Sequence, residues 1–195
     1  MRRFMTIVAA GVLPYAFGSA NAAITIDQSQ PVNTEAIAIF LQGDLAQSFQ
    51  QANNNVAGAG IFLGDGHGQG GDVTIALWDK LPNEGGVQLA GDIAAGTPGN
   101  WVDVYWSPVS VTPDTTLFLV FTSTDAAMAI AGDMDNPYPR GQVYANPGYQ
   151  DFSELDYAFR TYYETALASI PAPGALLLAG VGISLISYVR RRAGR

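Results

Sequence analysis

Cysteine is absent from the 195 residues. That absence excludes disulfide scaffolds, thiolate zinc sites, cysteine nucleophiles and a lipid-modified N-terminal cysteine. Histidine occurs once, at His67, so any serine–histidine catalytic pair would have to use it, and no nucleophile-elbow motif accompanies it. Basic residues are scarce: nine against 17 acidic ones, for a net charge of −8. Their placement matters more than their number. Arg2, Arg3, Arg190, Arg191, Arg192 and Arg195 occupy the two ends, and only Lys80, Arg140 and Arg160 lie between them. All 17 acids fall between Asp27 and Glu164, so three cations meet 17 anions there, a net of −14. Phosphate recognition rests on clustered Lys and Arg, which excludes nucleic acid and anionic lipid as partners of this middle stretch.

At the N-terminus, Met1-Arg2-Arg3 precedes an apolar run from Phe4 to Phe17, and Ser19-Ala20-Asn21-Ala22 follows with small residues at 20 and 22. A basic start, a short apolar stretch and an A-x-A site are the parts of a secretory signal peptide. Here it would occupy residues 1–22 and be cut between Ala22 and Ala23. An uncleaved N-terminal anchor is the alternative, and Pro14 and the shortness of the run argue against it. The ordinary secretion machinery is therefore an expected partner.

At the other end, Thr165 to Val189 contains no Asp, Glu, Lys, Arg or His, and Ala175 to Val189 is almost wholly apolar or small. As a helix, 15 residues span about 22 Å, short of a hydrocarbon core of about 30 Å unless flanking residues help. Arg190, Arg191 and Arg192 can reach the head groups from one side while Ile170 to Gly174 enter from the other. An arginine cluster after an apolar helix stays cytoplasmic, which puts the bulk of the chain outside. A permanent single-span anchor satisfies these facts. A second account follows from the order of the parts: Pro171-Ala172-Pro173, then Gly174-Ala175, a short helix rich in small residues, then Arg190-Arg191-Arg192 near the chain end. That order, over Ile170 to Arg195, resembles the C-terminal sorting signal of the PEP-CTERM family of exported bacterial proteins. The resemblance implies recognition by an exosortase, a membrane transpeptidase that removes the tail and passes the protein to the cell envelope or extracellular matrix. The family's usual Glu between the prolines is Ala172 here, and Pro-Ala-Pro-Gly-Ala resembles a variant of some members.

Between these ends, residues 23–168 hold 16 glycines and eight prolines, which leaves no room for long helices. Runs with strand character lie at 23–28, 36–42, 46–51, 59–63, 72–78, 87–93, 101–106, 117–124, 127–131, 142–145 and 156–163. Val73, Ile75 and Leu77 alternate with Thr74, Ala76 and Trp78; Val102, Val104 and Trp106 alternate with Trp101, Asp103 and Tyr105. Leu117-Phe118-Leu119-Val120-Phe121 is apolar throughout and is expected to be a central strand covered on both sides. Many short strands with turn signals between them predict an all-β fold, a jelly-roll-like antiparallel β-sandwich. The segments Ala46–Phe49, Gly71–Trp78, Trp101–Val104, Thr115–Phe121 and Asp156–Tyr162 are also similar to jelly-roll modules of other exported bacterial proteins. Many of those accompany cell-surface or sugar-binding proteins.

Candidate chemistry is sparse. Gly66-His67-Gly68-Gln69-Gly70-Gly71 spells G-x-G-x-x-G, but a strand follows where a dinucleotide site needs a helix, and Asp65 and Asp72 beside it repel phosphate. It reads as a loop between strands. Asp133 and Asp135 begin a calcium-like loop, yet Tyr138 and Tyr144 stand where an EF-hand needs Gly and Glu, leaving a non-EF Ca2+ site or a plain Asx turn. No other cofactor is indicated. Tyr138, Arg140, Tyr144, Asn146 and Tyr149 mix aromatic faces with bidentate polar groups, as sugar sites do; tyrosines at a sandwich end with wet hydroxyls are the plain alternative. Trp101 and Tyr105 form an outward aromatic pair or part of the core, depending on which face of their strand is buried. The expectation is an exported, non-catalytic envelope or matrix protein, either structural or a weak binder of extracellular polysaccharide. The alternatives are a secreted polysaccharide hydrolase, for which no acid pair is singled out, and a permanently anchored surface protein.

Overall fold

Side chains that alternate between apolar and polar fold as strands, because successive residues of an extended chain point to opposite faces. The computed structural model describes residues 22–165. The expected signal peptide up to Asn21 lies outside the described residues, as do the expected membrane helix and the tail motif of Pro171, Ala172, Pro173, Gly174, Arg190, Arg191 and Arg192. The strands are β1 (Ile24–Gln30), β2 (Glu35–Ile39), β3 (Leu45–Gln50), β4 (Asn55–Gly64), β5 (Gly71–Trp78), β6 (Gln88–Gly96), β7 (Trp101–Ser110), β8 (Thr116–Ser123), β9 (Ala129–Asp133), β10 (Val143–Ala145), β11 (Gln150–Phe152), β12 (Asp156–Tyr157) and β13 (Phe159–Glu164). Two short 3-10 turns, at Phe40–Gln42 and Pro82–Glu84, are the helical elements among the described residues, and no helix there is long and apolar enough to cross a membrane.

The strands form two antiparallel sheets that pack as a sandwich. One has six strands in the order β11-β10-β3-β8-β5-β6. The other has seven, in the order β1-β13-β4-β9-β12, with β7 paired to β4 and β2 to β9. All the expected strand runs contain a strand, though several bounds differ. The run at 36–42 leaves the sheet at Ile39 for a 3-10 turn; β4 starts earlier, at Asn55; β6, β7 and β9 continue to Gly96, Ser110 and Asp133; β11 was not foreseen; and the run at 156–163 is broken at Ala158. Ala158 is where the chain changes neighbours, from β9 to β4, its N–H donating to Ala131 and its carbonyl accepting from Phe62.

The core lies between the sheets. Val73, Ile75 and Leu77 of β5 and Leu117, Leu119 and Phe121 of β8 meet Ile61 and Leu63 of β4, Val102 and Val104 of β7, and Phe159 of β13. The even-numbered Phe118 and Val120 of β8 are buried on the opposite face, with Ala46 and Leu81, beneath Trp78, Tyr144 and Tyr149. The wholly apolar run thus does sit in a central strand with both faces covered.

On the outer face of the seven-stranded sheet, Gly58 and Gly60 of β4 leave a trough between β13 and β7. Arg160 of β13 reaches across Gly60 to Asp103 of β7: Nε donates to Oδ1 at 2.7 Å and Nη2 to Oδ2. The Tyr162 hydroxyl donates to the same Oδ1 at 2.7 Å, and Arg160 Cζ lies 4.1 Å from the centre of the Trp101 ring. A Cβ at position 60 would fall 2.1 Å from Asp103 Oδ1, so the lock requires glycine in the middle strand. Trp101 and Tyr105 therefore face outward, Tyr105 being 50% exposed. Asp103 keeps the Arg160 guanidinium charged to a higher pH than usual. Bidentate, half-buried pairs are stronger than surface ones. A double-mutant cycle with Arg160→Met and Asp103→Asn is expected to give a coupling of about 1 kcal/mol in urea unfolding; a coupling indistinguishable from zero would show the lock to be ornamental.

Candidate functional site

At one end of the seven-stranded sheet the chain leaves a groove of about 680 Å³, within the range of small-ligand sites. Its base is made of small residues, Gly64, Ala36 and Ala131. Gly64 is closely packed, since a Cβ there would lie 3.3 Å from Ala129 and 3.5 Å from Ala36. Asn33, Thr34 and Glu35 come from the β1–β2 connection and the start of β2; Asp65, His67 and Gly99 come from the β4–β5 and β6–β7 connections. Phe62 closes one end. It is the outward residue of β4 between Gly60 and Gly64, and its ring meets Trp101 edge-on at 5.6 Å.

The loops that carry these groups are held in place. Gly99 N–H donates to Leu63 and Leu63 N–H to Asn100, both at 3.0 Å, which ties the β6–β7 turn to the end of β4. The glycine-rich β4–β5 loop is pinned by Asp125, whose Oδ2 accepts from Gln69 at 2.7 Å and Gly70 at 3.2 Å while Oδ1 accepts from Ala127. The Gln69 and Ala127 amides hold that carboxyl below its usual range. Strands flank this loop on both sides, so its glycines do not open a helix onto a phosphate. Asp65 turns one oxygen back to Gly66 N–H, and Thr34 directs its hydroxyl to Asp133 at 3.4 Å, adding a third carboxylate at the groove's rim.

The five aromatic and polar residues singled out between Tyr138 and Tyr149 do not converge. Tyr138 is 7% exposed: its ring packs edge-on against Phe159 at 5.0 Å, and its hydroxyl donates to Gln28 at 2.9 Å. Arg140 is engaged by Asp114 and by Gln50 Oε1. Tyr144 packs against Phe118 at 5.7 Å on the outer face of the six-stranded sheet, and Tyr149 joins the same cluster with Trp78 and Leu81. Burial pushes the hydroxyls of Tyr138, Tyr144 and Tyr149 above the ordinary tyrosine range. Asn146 and Tyr149 both adopt left-handed backbone in the β10–β11 turn, with Asn146 Oδ1 3.5 Å from Gln42 Nε2. Two loops close over this cluster, joined by Asn83 Nδ2 donating to the Gly148 carbonyl at 2.8 Å. The loop of Asp133 and Asp135 is an Asx turn, Asp133 Oδ1 accepting from Asp135 N–H at 2.8 Å. Among the described residues no three His, Asp or Glu side chains gather as ligands of a metal ion would.

The residues of the groove escaped sequence reasoning because three separate connections and three strands supply them. One signal was present: Gly58, Gly60, Phe62 and Gly64 occupy one face of β4, and an outward aromatic between glycines marks a place where something larger than a methyl group must fit. No family model matches the chain, and no curated protein matches its sequence.

Proposed function

We propose that this is an exported, non-catalytic protein of the cell envelope or extracellular matrix, sorted through its C-terminal tail by an exosortase-like enzyme, and that it binds polysaccharide in the groove. Its sandwich, in which β3 lies beside β8 and β4 beside β13, is read as a jelly roll. The groove's make-up carries the binding part: an aromatic ring and residues with amide, hydroxyl, carboxylate and imidazole side chains line it, a mixture that suits a sugar ring and its hydroxyls. The two ends of the described domain meet at one corner. Ala23 and Thr165 are hydrogen-bonded to each other, Thr165 N–H to the Ala23 carbonyl at 2.9 Å and Ala23 N–H to Thr165 Oγ1 at 3.1 Å. Both β1 and β4 run from that corner toward the groove, and the ten residues of β4 span about 30 Å. The groove thus lies at the far end of β4 from the corner where Ala23 and Thr165 meet.

A hydrolase is the other use of a groove holding two carboxylates, Glu35 and Asp65. Both are exposed, whereas acid–base cleavage needs one carboxyl in an apolar setting. In a glycan array, the full-length chain is expected to retain envelope polysaccharides without releasing reducing ends, and Phe62→Ala to weaken retention at least about tenfold with the fold intact. Silence across the array would remove the binding part. Recovery of protein with Arg195 intact would replace sorting by permanent anchoring.

A further inference from the structure

A sheet edge presents a row of unpaired N–H and C=O groups, and folded proteins blunt such edges with short strands, bulges, proline or lysine. Most edges among the described residues are blunted in this way. β11 has three residues and β12 two; β1 loses register between Ile26 and Ser29, β2 between Ala36 and Ala38, and β7 carries Pro108. β6 is the exception. It is the outer strand of the six-stranded sheet, nine residues without proline or lysine, and its register to β5 is unbroken from Gly96, opposite Gly71, to Ala90, opposite Leu77. Asp72 of β5 turns its amide and its carbonyl toward Thr124, just past β8. By alternation, Val73, Ile75 and Leu77 then bond to Ala94, Asp92 and Ala90, and the backbone of Gly91, Ile93 and Ala95 faces out of the sheet. Ile93 is 59% exposed, and its N–H donates to Asp92 Oδ1 at 2.8 Å. That carboxylate is the one charge on the strand.

We propose that β6 pairs with β6 of a second copy, antiparallel about a two-fold axis at Ile93, so that the two six-stranded sheets become one. The strand is its own complement there. Ile93 exchanges N–H and C=O with its counterpart, Gly91 lies opposite Ala95 on either side, and the two exposed isoleucine side chains meet on the outer face, beside Thr74. Charge and register choose this centre. An axis at Asp92 would set two carboxylates directly opposite each other, and one at Gly91 would draw the bulge at Leu89 into the ladder. Asp92 acts as a guard, since its oxygen must leave the Ile93 N–H before the partner's carbonyl can accept from it. The regular stretch of seven residues makes a contact about 23 Å long, short of the about 800 Å² per partner of a standard interface, so the dimer is weak, with a Kd above about 10 μM. Each copy carries −14 between Asp27 and Glu164, and salt therefore strengthens the pairing. The inference goes beyond the sugar reading and does not depend on it; a dimer carries two grooves, and a polymer held at both is retained longer than at one.

The test is sedimentation of the full-length chain at rising concentration and at low and high salt; the tail is common to every variant, so only a difference that depends on β6 counts. Wild type should pass from monomer to dimer, more readily at high salt. Ile93→Lys should raise the Kd at least about tenfold although it lowers the net charge of each copy. Ile24→Lys, at an exposed position of β1, changes the charge equally and should leave the Kd within about twofold. Asp92→Ala, which frees the Ile93 N–H, should tighten association at least about threefold. The chain has no cysteine, so single cysteines report the register. Ile93→Cys should cross-link to its own copy on oxidation, the two Cα atoms being about 5.5 Å apart, whereas Leu89→Cys, about 26 Å from its counterpart, should not. Equal association of the two lysine variants, or equal cross-linking of the two cysteine variants, would overturn the assignment. So would a wild-type chain that stays monomeric up to about 1 mM with no Ile93→Cys cross-link; retention of glycan by that monomer would leave the polysaccharide site standing.

Discussion

Replacing Gly132 by alanine is expected to destabilise the domain by about 3 kcal/mol or more, as a lower urea midpoint with an unchanged slope. Gly132 lies in β9 with β2 on one side and β12 on the other, paired to Glu35 and Tyr157. A Cβ there would fall 2.1 Å from the Asp156 carbonyl oxygen, 2.8 Å from Ile37 Cγ1 and 2.9 Å from Tyr157 Cα. Two of those atoms are backbone of β12, so relief requires moving a strand rather than turning a side chain. Gly66 gives the contrast. It has left-handed backbone at φ 74° but nothing within 4 Å of an added Cβ, so Gly66→Ala should lose only about 1 kcal/mol, the conformational term alone. Equal losses at the two positions would contradict the close approach at Gly132.

The same glycine shows where the sequence stops being legible. Read along the chain, Gly132 is punctuation that ends the run at 127–131; in the fold it is where two strands press together. A turn glycine and a close-packing glycine have the same letter, and only the neighbour brought in from Asp156 distinguishes them. Alternation was informative wherever one face met the core: Val73, Ile75 and Leu77 go inward, as do Val102 and Val104, because a one-residue slip would bury Thr74 or Asp103 instead. The direction of Trp101 and Tyr105 stayed ambiguous since an aromatic suits either face. Arg160 and Asp103 decide it, and they are 57 residues apart. Proximity in sequence also misled: Tyr138, Arg140 and Tyr144 are close along the chain, yet the tight turn before β10 sends the first into the core and the last to the opposite face of the six-stranded sheet.

Unfolding free energy should fall as pH rises from about 4 to about 6, through one buried carboxyl. Asp156 has no solvent exposure. Its Oδ1 accepts from Gln47 Nε2 at 2.8 Å and its Oδ2 from Tyr138 N–H at 2.7 Å, while Gln47 Oε1 accepts from Tyr157 N–H at 2.9 Å. The carboxyl thereby joins β12 of one sheet to β3 of the other and to the loop before β10. Burial raises its pKa to about 6 from the ordinary 3.8, the two donors opposing the shift and the nearby Asp133 adding to it. Between those values the folded state keeps a proton that the unfolded state has released, so each step up in pH favours unfolding. The contribution is fully present below about 4 and gone above about 6. A shift of that size corresponds to about 3 kcal/mol. Other carboxylates titrate in the same window, so the measurement is a difference: wild type against Asp156→Asn, by urea unfolding at pH 4, 5, 6 and 7. Asparagine retains one acceptor and titrates no proton. The stability of wild type relative to the variant is therefore expected to decline by about 2 to 3 kcal/mol across the series. Parallel curves would mean that Asp156 is charged in the folded domain at pH 4, and that the two donors outweigh its burial.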